Sequence, residues 1–535
     1  MSQLRLARIA AAMGTLFFLV HGLSVILAPE RSLMGWLYDD CFYYLITAKH
    51  LFEQHRSSFD GITLTSGYHP LWAWICVAVY GLHRKLDLTY LRLCMGVSWL
   101  ITSLVLLGVL RWSLRKGNVG WLWAIALSTT SYSALNNGIT VMEWPLVILF
   151  WTLLHCLLVR QASGDVSGVR RNVIAMAAAL GFFGSLARTD FGLIPAVYLI
   201  AGLFIARRLQ SWRPFFAATS AVGGSAAGLG TTFLYNHIAT GSWIQQSAQI
   251  KHLLANSSSP FNPAPAAWQF MRVLFYLPPL DLSVSQRVQF LRYGVLMLGG
   301  IALIAGGAIV YHLRRPKQAG EARPPEDVFV TIAALCGIAG YLTVYSFNSE
   351  ATFGWYTATV TGFVLVLASQ FFSRMGSRIA AAITLPLIAL NLAGLVYGGP
   401  TARSQYVEVR IGLALRRDHA GALMGGGDVG KASFYNGGTM INLDGLMNNE
   451  IYPYLAAGEF PCYFLVRRIE YVSNLGSITL PIVAAQRKAR HLPPMDWRDY
   501  FISHLVHAPD GVPVTYYQTD FDAIQRSGEC PVPAH

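Results

Sequence analysis

Apolar runs long enough to bridge a bilayer recur along most of this chain, and that recurrence limits the fold more than any other feature. A hydrocarbon layer of roughly 30 Å takes about 20 apolar residues in a helix. Inside lipid the backbone must satisfy its own hydrogen bonds, so each run has to be helical. The runs are Leu4–Ala28, Leu91–Leu110, Val119–Leu135, Trp144–Val159, Val173–Ala187, Phe191–Ala206, Phe215–Tyr235, Leu291–Val310, Val328–Phe347, Tyr356–Phe372 and Ile379–Val396. The first is read as a retained helix, because no small-residue cleavage site follows it. Composition agrees: 54% of residues are apolar and 13% charged, against about 25% charged in soluble domains. This excludes a disordered chain, a nucleic-acid-coating protein and an ordinary cytosolic enzyme.

Basic residues set the orientation. With the N-terminus cytoplasmic, the inner loops carry Arg111/Arg115/Lys116, Arg160/Arg170/Arg171, Arg207/Arg208/Arg213, Arg314/Arg315/Lys317/Arg323 and Arg374/Arg378. They account for much of the net charge of +13, and anionic membrane lipid is the expected partner. Pro70–Leu82 is too short for a span, and counting it would invert every later loop. It reads as an interfacial or re-entrant helix with Trp72 and Trp74 at the headgroups. The expected fold is therefore a polytopic α-helical membrane protein of about eleven spans. Residues 1–397 form its membrane domain, with long outer loops at 29–90 and 236–290. Residues 398–535 are polar, with mixed strand and helix signals, and are expected to form an extracytoplasmic α/β domain with its own core. Cys462 and Cys530 lie in this tail, where one bridge can form.

Chemistry-bearing residues gather in the outer loops. Asp39 and Asp40 stand ten residues past the first span within Leu37-Tyr38-Asp39-Asp40-Cys41-Phe42-Tyr43-Tyr44, between apolar and aromatic neighbours. Desolvation there raises a carboxylate pKa and suits it to act as a base, although a solvated acidic loop is the plain alternative. Neighbours in a helix point about 100° apart, so the two acids divide their roles. Tyr68 and His69 follow in the same loop, His69 as a structural residue or a phosphate or sugar contact. Glu143, Arg188 and Asp190 mark two further outer turns; Arg188 and Asp190 are either functional or a local pair stabilising the turn. Lys251 is either an anchor for an anionic phosphate or a solvated lysine. Trp355 and Tyr356 read as interfacial belt aromatics. Gly425-Gly426-Gly427-Asp428-Val429-Gly430-Lys431 nearly matches a phosphate-binding loop, but Ala432 replaces the hydroxyl residue that holds magnesium, so it reads as a turn. No His/Cys cluster has metal-ligand spacing, and two adjacent aspartates do not make a metal site.

Asp39-Asp40-x-Phe42-Tyr43-Tyr44, followed by Gly67-Tyr68-His69-Pro70-Leu71-Trp72, resembles the polytopic C-type (GT-C superfamily) glycosyltransferases. Gly138 with Glu143 looks like their second acidic motif, and Arg188–Asp190 like their Ala-Arg-x-Asp turn. Gly241-Ser242 through Lys251 and Asn442–Asn448 are similar to bacterial arabinofuranosyltransferase-like members. The resemblance implies a bacterial inner-membrane enzyme that moves a sugar, arabinofuranose among the candidates, from a polyprenyl-phosphate donor. The acceptor would be an extracytoplasmic glycan, lipid or protein. Thr189 and Gln245-Gln246 depart from the usual proline-containing stretches, which bears on the donor sugar. Polyprenyl phosphate is already a good leaving group, so a base and phosphate contacts suffice and no cofactor is required. Asp39 is the expected base and Asp40 its partner. Arg188, Lys251 and His69 are the phosphate candidates; Tyr68, Glu143 and Asp190 complete the pocket. The competing class is a lipid-linked sugar or polysaccharide transporter without chemistry; a non-catalytic sugar-binding scaffold is a third.

Overall fold

The computed structural model describes residues 3–131, 133–163, 171–256, 270, 325–347, 354–374, 377–397, 402–475 and 478–530. The predicted span Leu291–Val310 and most of the second long outer loop lie outside these residues. The membrane half is built from α1 (Gln3–Ile26), the short α2 (Glu30–Met34), α3 (Asp40–Gln54), α4 (Pro70–His83), α5 (Leu88–Lys116), α6 (Val119–Ser128) and α7 (Trp144–Ala162). It continues with α8 (Arg171–Ala187), α9 (Leu193–Leu209), α10 (Arg213–Thr240), α11 (Gln246–Asn256), α12 (Pro325–Ser346), α13 (Ala358–Arg374) and α14 (Ser377–Tyr397).

Among the described residues, five helical segments are long and apolar enough to cross a bilayer: Leu4–Ile26, Leu88–Lys116, Trp144–Ala162, Thr189–Arg208 and Pro325–Ser346. The other predicted spans in view also fall on helices, with one correction. Val119–Leu135 is not continuous. Its helix stops at Ser128 after 10 residues, about 15 Å of rise, and a π-helical turn follows at Ser133–Asn137. The hydroxyls of Ser128, Thr129, Thr130 and Ser131 all donate back to carbonyls three or four residues earlier. Such bonds compete with the helical ladder and favour its end.

The helices close up where side chains are small. A Cβ on Gly181 of α8 would come 2.1 Å from the Ala221 carbonyl oxygen of α10, and one on Gly224 would come 2.0 Å from that of Ala178. Backbones this close are the packing that small residues permit between membrane helices. Arg115 and Lys116, Arg160, Arg207 and Arg208, and Arg374 occupy last turns, while Arg171 and Arg213 open their helices. All therefore fall at one end of the alternating bundle, and the residues of the outer loops fall at the other. In α4, Trp72 is fully buried against the protein and only Trp74 is half exposed.

Beyond α14 the chain forms α15 (Ala402–Asp418) and a five-stranded mixed sheet. Strand β1 (Met424–Gly426) leads into α16 (Gly430–Asn436), followed by β2 (Ile441–Asn442), β3 (Tyr471–Val472), β4 (Phe501–His507) and β5 (Pro513–Thr519). The order is β2-β1-β3-β5-β4, with β1 parallel to both β2 and β3 and β5 antiparallel to β3 and β4. Cys462 and Cys530 are joined in a disulfide. The core of this domain is not its own. One apolar cluster holds Phe42, Tyr43 and Ile46 of α3 together with Val429, Ala432, Phe434, Leu443 and Met447 of the tail. The rings of Phe42 and Phe434 meet edge-on at 5.2 Å.

Candidate active site

Helix α3 sorts its side chains onto two faces. Positions 39, 42 and 43 are spaced i, i+3, i+4 and meet the C-terminal domain, Tyr43 also lining the cleft; positions 40 and 44 are spaced i, i+4 and face the bundle. The bundle side is a small cleft of about 50 Å³, lined by Asp40, Tyr43, Tyr44, Tyr68, His69, Glu143, Arg188, Lys251 and Tyr356, with Gly67, Leu446 and Met447 closing one wall. Five inter-helix segments and the tail thus converge on one point at the end of the bundle away from the basic helix ends.

Asp40 is the member of the aspartate pair that lines this cleft. Burial pushes its pKa up to about 7; Asp39, Asp428 and Asp444 push the same way and the Lys251 ammonium opposes them. A carboxylate poised there is ionised for much of its time near neutrality and basic enough to take a proton. Lys251, on α11, donates to the Tyr356 hydroxyl, and its Nζ lies 5.0 Å from that ring's centroid. Burial works against its charge, but Tyr356 and Asp40 outweigh burial and raise its pKa, so it stays cationic. Among the described residues it makes no carboxylate ion pair.

Arg188 is a framework cation. Its Nη1 donates to Glu143 Oε1 at 3.0 Å, its Nε donates to Asp190 Oδ1 at 2.7 Å, and its guanidinium lies over Tyr356. Glu143 Oε2 accepts from the Tyr44 hydroxyl at 2.9 Å, and Asp190 Oδ2 accepts from Tyr345. Asp190 itself does not line the cleft. The Arg188–Asp190 pair is more than a local turn clamp, because Arg188 also reaches an acid 45 residues earlier.

His69 lies 3.7 Å from Glu143 Oε1, too far for a hydrogen bond. Burial lowers its pKa to about 4 despite Glu143, so the imidazole is neutral at pH 7, and its Nδ1 is buried without a partner. It suits a hydroxyl better than a phosphate charge. The Tyr68 hydroxyl is engaged with Ser57 Oγ and the Tyr235 hydroxyl, both at 2.6 Å.

Asp39 stands elsewhere. Its Oδ2 accepts from the backbone N–H of Gly430 at 2.6 Å and its Oδ1 from that of Lys431 at 2.8 Å. The glycine-rich segment read as a plain turn is a strand–turn–helix whose first amides hold an anion, as helix N-termini do; the anion is the protein's own carboxylate. Asp39 is absent from the cleft lining, and of the pair only Asp40 faces the cleft. The tail motif Asn442–Asn448 is built into the same junction. Asp444 accepts from Tyr43 Oη at 3.3 Å and from the N–H groups of Asp428 and Leu446 at 3.0 and 2.8 Å.

Tyr356 is a cleft residue that hydropathy does not single out. It starts a span, as belt aromatics do, and only the fold shows two cations gathered on its ring. Among the described residues no group of three or more His, Cys, Asp or Glu is arranged to hold a metal ion.

No protein-family model and no curated protein matches the chain. Among solved structures, the archaeal oligosaccharyltransferase AglB from Archaeoglobus fulgidus, in complex with an inhibitory peptide and a dolichol-phosphate, is similar at TM-score 0.43 and 12% identity, covering 96% of this chain and 74% of that one. ArnT from Cupriavidus metallidurans in the apo state is similar at TM-score 0.42 and 13% identity, covering 96% of this chain and 99% of that one. The roles of the cleft residues rest on their own geometry.

Proposed function

We propose that this protein is a membrane glycosyltransferase that moves a sugar, arabinofuranose among the candidates, from a polyprenyl-phosphate donor to a hydroxyl of an extracytoplasmic glycan, lipid or protein. The observation that carries this reading is one desolvated acid, Asp40, sharing a cleft with a cation, Lys251, that no carboxylate of the described residues neutralises. Asp40 takes the proton of the acceptor hydroxyl as its oxygen bonds to the anomeric carbon. The bond from that carbon to the phosphate oxygen breaks, and Lys251, with Arg188 beside it, stabilises the charge on the departing polyprenyl phosphate. His69 orients a sugar hydroxyl. The order of the outer-loop motifs, similar to that of C-type glycosyltransferases, supports the donor class.

The basic helix ends support an outward-facing cleft, since such residues favour the cytoplasm. The Cys462–Cys530 bridge supports an external domain in an oxidising compartment. The deciding experiment incubates purified protein with a panel of polyprenyl-phosphate sugars and identifies labelled products by mass spectrometry, with Asp40→Asn as control. Transfer by the native protein and its loss in the variant support the reading. Passage of lipid-linked sugar across vesicles without any transfer favours the transporter instead.

A further inference from the structure

An aspartate at the start of a helix ordinarily caps that helix with its own side chain. Asp39 precedes α3 and makes no such cap; both of its oxygens go to α16, 391 residues away for Gly430. The contact is closely fitted, since a Cβ on Gly430 would come 2.4 Å from the Asp39 carbonyl oxygen and 2.9 Å from its Oδ2. One turn along, Phe42 and Tyr43 carry the same face into the tail. We propose that Asp39 is a positioning residue, a latch that docks the external domain on α3 and thereby holds Asp40 in the cleft, so that the membrane half and the tail make a single catalytic unit. The inference rests on Asp40 being the base.

The charged groups acting on Asp40 are Asp39 on its own helix, Lys251 of α11, and Asp428 and Asp444 of the tail; Glu143, Arg188 and the neutral His69 line the same cleft. Loosening the latch moves Asp40 relative to donor and acceptor, and misplacement by about 1 Å costs on the order of 100-fold in rate. Neutralising Asp39 also removes one negative neighbour and makes Asp40 easier to ionise.

The test uses the full chain with Asp39→Asn and Gly430→Ala, measuring transfer across pH, donor KM, and amide hydrogen exchange of the segment around residues 430–436. Both variants should lose about tenfold or more in kcat with donor KM within about twofold. The acid limb of the rate profile should move to lower pH in Asp39→Asn, and exchange at 430 and 431 should rise in both. A shift of that limb separates a role acting through Asp40 from simple destabilisation. Unchanged kcat, or unchanged exchange, overturns the latch. So does a loss in Asp39→Asn as deep as that in Asp40→Asn with the limb unmoved, which makes Asp39 itself the base. If the native protein transfers no sugar, the functional reading fails by itself, and exchange still decides the docking: a rise supports it and no change refutes it.

Discussion

Arg188 lies over the ring of Tyr356, its guanidinium carbon 4.5 Å from the centroid. Lys251 reaches the same ring from another segment and donates to its hydroxyl. Tyr356 thus holds both cations together, at the position that the proposed function gives to the leaving phosphate. Tyr356→Ala should raise the donor KM about tenfold, the worth of roughly 1–2 kcal/mol of cation–π and hydrogen bonding. Tyr356→Phe, which keeps the ring, should cost only a few-fold. Equal donor KM in the native protein and in both variants would remove Tyr356 from the donor site.

The two cations should respond differently to removal. Lys251→Ala deletes a charge that no described carboxylate needs, so the protein should fold and its donor KM should rise tenfold or more, for a charge-assisted contact of roughly 1.5–3 kcal/mol. Arg188→Ala leaves the buried Glu143 and the partly exposed Asp190 without their shared cation. Breaking such a group costs about 3–5 kcal/mol, and its main sign should be lower thermal stability in detergent. Donor titration alongside a melting curve separates the two; a Lys251→Ala protein that melts early with unchanged donor affinity contradicts the assignment.

Much of this arrangement is legible in the amino-acid sequence, and the gaps have physical causes. Hydrophobic runs and loop charges locate the helices and their ends, because lipid imposes both. They miss the break after Ser128, where four consecutive hydroxyl residues undo a helix that hydropathy alone continues. Asp39 and Asp40 are readable as a pair with divided roles, but which acid faces the cleft depends on α16, almost four hundred residues later in the chain. Tyr356 and Trp72 fill slots where an aromatic at the interface is the ordinary occupant. The one is a site residue and the other a core residue only because of what packs beside them.

Asp40→Asn should lower turnover by about 10²–10⁴ with little loss of donor binding, the usual worth of a general base. The pH dependence follows from the direction of its shift. Burial raises the Asp40 pKa to about 7, and a base must be ionised, so turnover should fall about tenfold per unit below that pH and level off above it. Stability runs the other way: the acid is more easily ionised in the unfolded chain, so its neutral form favours folding at low pH and that contribution is lost as pH rises through about 7. Rates and melting points across one pH series check both signs. A flat profile between pH 5 and 8 argues against Asp40.

The Cys462–Cys530 bridge closes a segment with a sequence separation of 68. By loop entropy it constrains the unfolded tail by roughly 4 kcal/mol. Cys462→Ser should therefore lower the denaturant midpoint of the tail while leaving the Arg487–Glu529 pair to hold the terminus. Limited proteolysis under reducing and non-reducing conditions reads the effect; identical cleavage kinetics would show that the bridge adds nothing.

Orientation is open to direct labelling. Leu505 is 73% exposed on β4, and Arg115 sits in the last turn of α5 at the basic end. With accessible native cysteines replaced, a cysteine at 505 should react with a membrane-impermeant reagent in intact cells, and one at 115 only after permeabilisation. The reverse pattern inverts the map and places the cleft inside.

The shared core also dictates the order in which the protein can be made. Asp39, Phe42 and Tyr43 leave the ribosome long before Gly430 and Phe434 exist, and at roughly 5–20 residues per second the wait is on the order of 20–80 s. Throughout that interval the first outer loop is an orphan, with its apolar side bare at the membrane surface while the remaining spans insert. Maturation of this core therefore waits for a part synthesised long after the first loop. A nonsense mutation between α14 and α16 yields more than a shorter chain: it leaves the bundle with a sticky, uncovered crown, a substrate for quality-control proteolysis.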